Sequence, residues 1–179
     1  GEAEIEAANK VLRSGSLFLG QNVAELERRC AALMGKRHGV MVNSGSSALE
    51  LAVELLALPP GSEVVTPVLT FSTTVAPLLR AGLVPAFADV EPDTYNADAD
   101  QIEALIGPKT RALVVPNLIG NLPDWDRLRA LADRHGLRVI EDSCDTLGAK
   151  LDGTFTGPFQ GRDATLVLQA DGDELTIGE

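Results

Sequence analysis

Leu137-Arg138-Val139-Ile140-Glu141-Asp142-Ser143-Cys144-Asp145-Thr146-Leu147-Gly148 is a short apolar run that breaks into three carboxylates. Leu137, Val139 and Ile140 fit a buried strand, predicted over 137–142. In open α/β sheets, ligands bind outside the carboxyl ends of the strands. An apolar strand that ends in acids is therefore where chemistry is expected. An anion held there needs a cationic or hydrogen-bonding partner, because an unpaired buried charge is expensive. What Asp142 faces is the question on which the function turns.

Outward from that strand, helices and strands alternate. Helices are predicted at 2–14 and 21–34, followed by an extended segment from His38 to Asn43. A helix at 46–58 stops at Pro59-Pro60-Gly61, and a strand at 63–67 leads to a helix at 72–81 closed by Gly82. The strand at 83–90 ends in Asp89-Val90-Glu91-Pro92, and a helix at 98–106 is capped by Asp98. A strand at 111–116 precedes a helix at 124–135, with Asp124 as its cap and Gly136 as its stop. Hairpin-like pieces at 148–157 and a strand at 164–169 follow the focal turn. This alternation implies a mostly parallel (mixed) sheet with helices on both faces, an α/β fold.

The 179 residues are enough for one domain with a substantial core. Hydrophobic residues make up 45% and aromatics only 4%, so the core is filled by Leu, Val and Ala. A net charge of −11 argues against a nucleic-acid surface and against adhesion to anionic lipid. Arg80 and Glu54 interrupt the longest apolar stretches, so no membrane span is expected. The acidic start, Gly1-Glu2-Ala3-Glu4, is unlike a signal peptide. The absence of an initiator Met and the acidic run at the end, without a closing element, read as a single domain (1–179) cut short. Cys30 and Cys144 give neither a disulfide framework nor metal spacing, which suits a reducing cytoplasm. Cys30 shares a helical face with Val23, Leu26 and Leu33 and is expected in the core. His135, in the last turn of its helix, reads as a C-terminal cation, whereas His38 is left without a role.

Two further stretches carry chemistry. Val40-Met41-Val42-Asn43-Ser44-Gly45-Ser46-Ser47-Ala48-Leu49 runs from an extended segment into a hydroxyl-rich helix start. Gly45 allows close approach of a ligand, and Ser46 and Ser47 place hydroxyls and N–H groups at a positive helix terminus, a ready phosphate site. The plainer alternative is that Ser46 or Ser47 simply caps the helix. In Thr66-Pro67-Val68-Leu69-Thr70-Phe71-Ser72-Thr73-Thr74, Phe71 is either a flat surface for stacking a ring or an ordinary core residue. A phosphate cradle, a stacking ring and a carboxylate at a strand end suit a phosphorylated heteroaromatic with a protonatable nitrogen. Pyridoxal 5'-phosphate (PLP) is such a molecule, and a partner for its pyridine nitrogen keeps the ring an electron sink.

The order of these pieces resembles the PLP-dependent nucleotide-sugar aminotransferases of the DegT/DnrJ type, from about residue 3 to 163. The resemblance rests on Leu12-Arg13-Ser14-Gly15, Leu19-Gly20, Asn43 to Leu49, Thr66-Pro67, Phe87-Ala88-Asp89-Val90 and Ile140-Glu141-Asp142. It implies a truncated type I aminotransferase large domain without its C-terminal small domain. It also implies Gly45, Ser46 and Ser47 at the phosphate, Phe71 on the pyridine and Asp142 on its nitrogen. Ser143-Cys144-Asp145-Thr146-Leu147-Gly148 and Leu118-Ile119-Gly120-Asn121 are similar to the branch that removes the 3-hydroxyl of a nucleotide-linked 4-keto-6-deoxy sugar. That branch uses pyridoxamine 5'-phosphate (PMP) and a catalytic His in place of the Schiff-base lysine. The resemblance further implies a homodimer in deoxysugar or cell-surface polysaccharide biosynthesis, with substrate entering beside Asp145 and Asn117.

One departure matters. Aligned on Thr176-Ile177-Gly178-Glu179, the Lys or His position holds Asp173, and a phosphate-contacting Ser aligns with Leu168 and its aromatic neighbour with Gln169. A carboxylate is a poor substitute for an amine that must attack a carbonyl. Lys150 is a competing source of an amine, read as a solvated strand residue. Loss of the reaction in this chain is the expectation; the 3-dehydratase-like enzyme domain is the leading reading, with a sugar aminotransferase and a non-catalytic remnant or interaction domain as alternatives to it. Asp171-Gly172-Asp173-Glu174 lacks the ligand pattern of a calcium loop and reads as a solvated acidic turn.

Overall fold

The computed structural model of the chain describes residues 1–146, 150–151, 154–155 and 164–167, the last three segments as backbone only. The chain forms two compact units, Gly1–Met41 and Val42–Glu179. In the first, α1 (Glu2–Ser14) and α2 (Gln21–Leu33) are amphipathic helices. Ala31 and Met34 are buried there, while Cys30 is only half-buried and its thiol is pushed up by desolvation. The extended segment after α2 pairs with no strand among the described residues. Gly39 instead lies against the α2 backbone, where a Cβ would stand 2.4 Å from the Glu27 carbonyl oxygen, so only glycine fits. The Met41 N–H then donates to Glu27 Oε1 at 2.8 Å. An extended segment without a partner strand must satisfy its polar groups locally, and this one does so on α2.

The second unit contains α3 (Gly45–Leu55), β1 (Glu63–Pro67), α4 (Ser72–Arg80), β2 (Val84–Ala88), α5 (Ala99–Leu105) and β3 (Thr110–Pro116). These are followed by a 3-10 turn (Leu118–Gly120), α6 (Trp125–His135) and β4 (Arg138–Asp142). Two short antiparallel pieces come next, β5 (Lys150–Leu151) and β6 (Thr154–Phe155), followed by β7 (Ala164–Val167). Among the described residues the main sheet has the order β2-β1-β3-β4-β7, and its pairings are parallel. The anticipated caps form. The Asp98 side chain accepts from the Asp100 and Gln101 N–H groups, and Asp124 accepts from Arg127 N–H. Gly136 ends α6 in the left-handed region at φ 65°, with Arg134 and His135 in the preceding turn, where positive charge opposes the carbonyl end of the dipole.

Side-chain alternation divides the core. Val64, Ala112, Val114 and Ile140 face Leu49, Ala52, Val53 and Leu56 of the α3 side and Leu78 of α4. Val65, Leu113, Val115 and Val139 face Ile102 of α5 and Trp125, Leu128 and Ala132 of α6. Residues 112–116 of β3 are all buried, as expected of a central strand covered on both faces. Right-handed crossovers explain the layers. The chain steps outward from β1 to β2 through α4 on one face. It then returns past β1 to β3 through α5, and the reversed direction puts α5 on the other face. The carboxyl ends of β1 and β3 therefore flank a topological switch point, where such sheets open a crevice.

Candidate functional site

Register aligns the strand ends, with Pro116 opposite Asp142 and Asp142 opposite Val167. Two helix starts lie at this same end. α4 leaves directly from the end of β1. α3 descends to the beginning of β1, so its first turn is at the carboxyl end of the sheet. α3 lies against α4, β4 and β7.

At the start of α3, Ser44 is the cap. Its Oγ accepts from Ser47 N–H at 3.2 Å and donates to Ser47 Oγ at 3.1 Å. This corrects the reading of Ser46 or Ser47 as the cap: both lie inside the first turn because Ser44 supplies the extended residue before it. Gly45 is buried, Ser46 is exposed and Ser47 is half-buried. The first N–H groups of a helix have no intrahelical acceptor, so Gly45 and Ser46 offer N–H groups next to the Ser46 hydroxyl.

Phe71 precedes the first residue of α4 and is 71% exposed, which removes the core alternative. Asp142, by contrast, is only 6% exposed. Its Oδ2 accepts from Thr74 Oγ1 at 3.2 Å, and its Oδ1 accepts from Cys144 N–H at 3.2 Å. Among the described residues no Lys or Arg pairs with it. Two donors leave an ionised carboxylate with acceptor capacity to spare. The Asp142 carbonyl accepts from Asn117 N–H at 2.9 Å.

Beside it, Glu141 is also buried and accepts from Asn117 Nδ2 at 2.9 Å and Ser143 Oγ at 2.8 Å. Asn117 Oδ1 in turn accepts from Trp125 Nε1 at 2.7 Å. This network ties α6 to the ends of β3 and β4. Thr66 Oγ1 in β1 and Thr146 Oγ1 after β4 are buried and have no hydrogen-bond partner among the described residues. Thr74, Ser143 and Trp125 carry no motif in the sequence that marks them as site residues, and only their contacts place them here. Only the Thr70/Thr74 spacing across a helix start is a local signal.

Asp145 is placed differently from Asp142. It is exposed, and its Oδ2 accepts from Ile119 N–H at 3.2 Å. Ile119 is β-branched, 67% exposed and held at φ 50°, ψ 29°, a left-handed conformation that costs such a residue about 1–2 kcal/mol. The same turn is anchored from its other side, where Asn121 Nδ2 donates to the Thr94 carbonyl and Asn96 Nδ2 to that of Leu122. Strain of this kind persists only where surroundings over-determine it. Asp145→Ala is expected to speed amide exchange at Ile119 roughly 2- to 10-fold, the worth of one such bond, while Asp145→Asn retains an acceptor and changes it little. Ile119→Gly is expected to raise stability by about 1 kcal/mol. A denaturant series and exchange measurements check both.

Asp173, Leu168, Gln169 and the Asp171–Glu174 run lie outside the described residues, as does the side chain of Lys150. Among the described residues no group of three or more His, Cys, Asp or Glu could hold a metal ion, and no helix is long and apolar enough to cross a membrane.

The sequence matches the model of the DegT/DnrJ/EryC1/StrS aminotransferase family over residues 1–170. It is 39% identical over 174 residues to a dTDP-3-amino-3,4,6-trideoxy-alpha-D-glucose transaminase of Micromonospora megalomicea subsp. nigra, covering 94% of this chain and 46% of that protein. Among solved structures it resembles the E coli GDP-4-keto-6-deoxy-D-mannose-3-dehydratase with bound hydrated PLP. The TM-score is 0.83 at 30% identity, over 87% of this chain and 42% of the other. Against S. venezuelae DesV the TM-score is 0.84 at 36% identity, over 92% of this chain and 44% of the other. The chain thus spans less than half the length of these relatives.

Proposed function

The chain belongs to the DegT/DnrJ/EryC1/StrS aminotransferase family and has its type I PLP-dependent fold, and from this we propose that it is the coenzyme-holding part of an enzyme acting on nucleotide-linked keto sugars. The observation that carries the reading is Asp142. It is a buried carboxylate with neutral donors on both oxygens and, among the described residues, no cation. A pyridinium N–H supplies the missing positive partner, whose lack is costly at such a site.

The residues present fit PLP or PMP. Asp142 would hold the ring nitrogen protonated, and the exposed Phe71 would cover a ring face. Gly45, Ser46 and Ser47 would hold the phosphate at the start of α3. The hydroxyls of Thr66 and Thr146, without a partner among the described residues, add polar capacity to this end of the sheet. When bound, the coenzyme supplies an electron sink for breaking bonds beside the carbon it carries. The protein's own work is to fix the ring, neutralise its nitrogen and anchor the phosphate.

Within this class we assign the chain to the branch that removes the 3-hydroxyl of a 4-keto-6-deoxy sugar. The support is Asp145 in Ser143-Cys144-Asp145 and the Asn117-Leu118-Ile119-Gly120 turn to which it bonds. The ordinary transaminase shares every coenzyme contact. With Asp173 at the Lys or His position, we propose that coenzyme is held without covalent attachment and that the reaction is lost. The intact enzyme is proposed to be a cytoplasmic homodimer.

Titrating the purified chain with PMP, read by coenzyme fluorescence, tests the binding reading: saturable binding supports it, and its absence overturns it. Borohydride treatment after PLP addition, with peptide mass spectrometry, tests the second. No lysine adduct is expected. A stoichiometric adduct on one lysine would restore the transaminase reading.

A further inference from the structure

We propose that Thr74 is a positioning residue that sets the Asp142 carboxylate relative to Phe71; this rests on the coenzyme reading above. Thr74 is 1% exposed, in the first turn of α4, and its backbone N–H donates to the Phe71 carbonyl at 2.9 Å. Its hydroxyl has one proton to give. An ionised Asp142 can only accept, so that proton goes to Asp142 Oδ2. Thr74 Oγ1 must then accept from its other neighbour, and Thr70 Oγ1 donates to it at 2.9 Å. The chain of hydroxyls therefore has one direction, Thr70 to Thr74 to Asp142.

The consequence is geometric. Phe71 and Thr74 sit on one helical turn, whereas Asp142 belongs to β4, 68 residues away in sequence from Thr74. A ring that must be stacked on its face and hydrogen-bonded at its edge needs these two elements in fixed relation. The Thr74 hydroxyl is a direct bond between them. The Cys144 N–H on Oδ1 fixes the other oxygen, so the carboxylate plane is held at both ends. Supporting partners of this kind tune the groups that touch a cofactor.

The test is a graded series on the full chain, with PMP as the probe. Thr74→Val keeps the shape and removes the hydroxyl. It is expected to weaken PMP binding about 10- to 100-fold, the usual worth of a hydrogen bond to a charged group. It is also expected to lower the ring-protonated fraction of bound PMP, read from absorption at neutral pH. Thr74→Ser restores the donor and is expected to stay within about threefold of the parent, with its spectrum. Thr74→Cys, a weak donor, falls between them and covers the case in which the valine variant does not fold. Equal binding and spectra in all variants would overturn the proposal, as would a serine variant as impaired as valine. Failure of the parent chain to bind PMP at all would instead overturn the coenzyme reading and this one with it.

Discussion

Asp142→Asn is expected to weaken PMP binding by about 2–5 kcal/mol, at least roughly 30-fold in Kd, while the ligand-free chain melts at a higher temperature. The two effects have one cause. Asp142 is buried with hydroxyl and N–H donors but, among the described residues, without a cation. In the free protein that charge is a cost, which the neutral amide relieves while still accepting from one of the two donors. In the complex the same charge is what a protonated ring nitrogen pairs with. A stabilised chain that has lost its ligand is the mark of a residue kept for function. Asp171→Asn, in the terminal acidic run, serves as the control and should change binding little. Equal losses in both variants would remove Asp142 from the ring nitrogen. Calorimetric melts and fluorescence titration measure the pair of effects.

Trp125→Ala is expected to cost about 3–5 kcal/mol of stability, a large share of what a domain of this size has. Trp125 is the largest fully buried side chain, packed with Leu128, Val115 and Val139 between α6 and the sheet. Truncation leaves a cavity between layers that cannot collapse without moving α6. Trp125→Phe separates packing from polarity. It keeps most of the ring but removes the Nε1 donor from Asn117 Oδ1, at a cost of about 1–3 kcal/mol for a buried acceptor left alone. Asn117 also bonds Glu141, Ser143 and the Asp142 carbonyl. Trp125→Phe should therefore lower PMP affinity as well as stability. Denaturant unfolding and titration of the same samples distinguish this from a purely structural role, which would leave affinity unchanged in the folded fraction.

Much of the fold is written in local chemistry. Asp98, Asp124 and Gly136 mark helix ends because caps are decided by a residue and its next few neighbours. The strands are legible because an apolar run ending in Glu141-Asp142 has few other uses. The cap of α3 is not legible to the residue, since Ser44, Ser46 and Ser47 are chemically alike and only the backbone angles choose Ser44 among them. His38–Asn43 is legible as extended, whereas its place in or out of a ladder depends on a partner strand that no local pattern can supply.

What the sequence by itself determined is the set of parts: a hydroxyl-rich helix start at Gly45, Ser46 and Ser47, an aromatic at Phe71, an acid at Asp142, and their order along an alternating chain. These follow from propensity, periodicity and capping, all of which act over a few residues. The tertiary structure decided what those parts do to one another. It left Phe71 exposed, bonded Thr74 to Asp142, and turned Asp145 away to hold Ile119. The reason is physical: these contacts cross 26 to 68 residues of chain. They exist only once parallel strands align their carboxyl ends, because sheet register, not sequence neighbourhood, brings those side chains within hydrogen-bond reach.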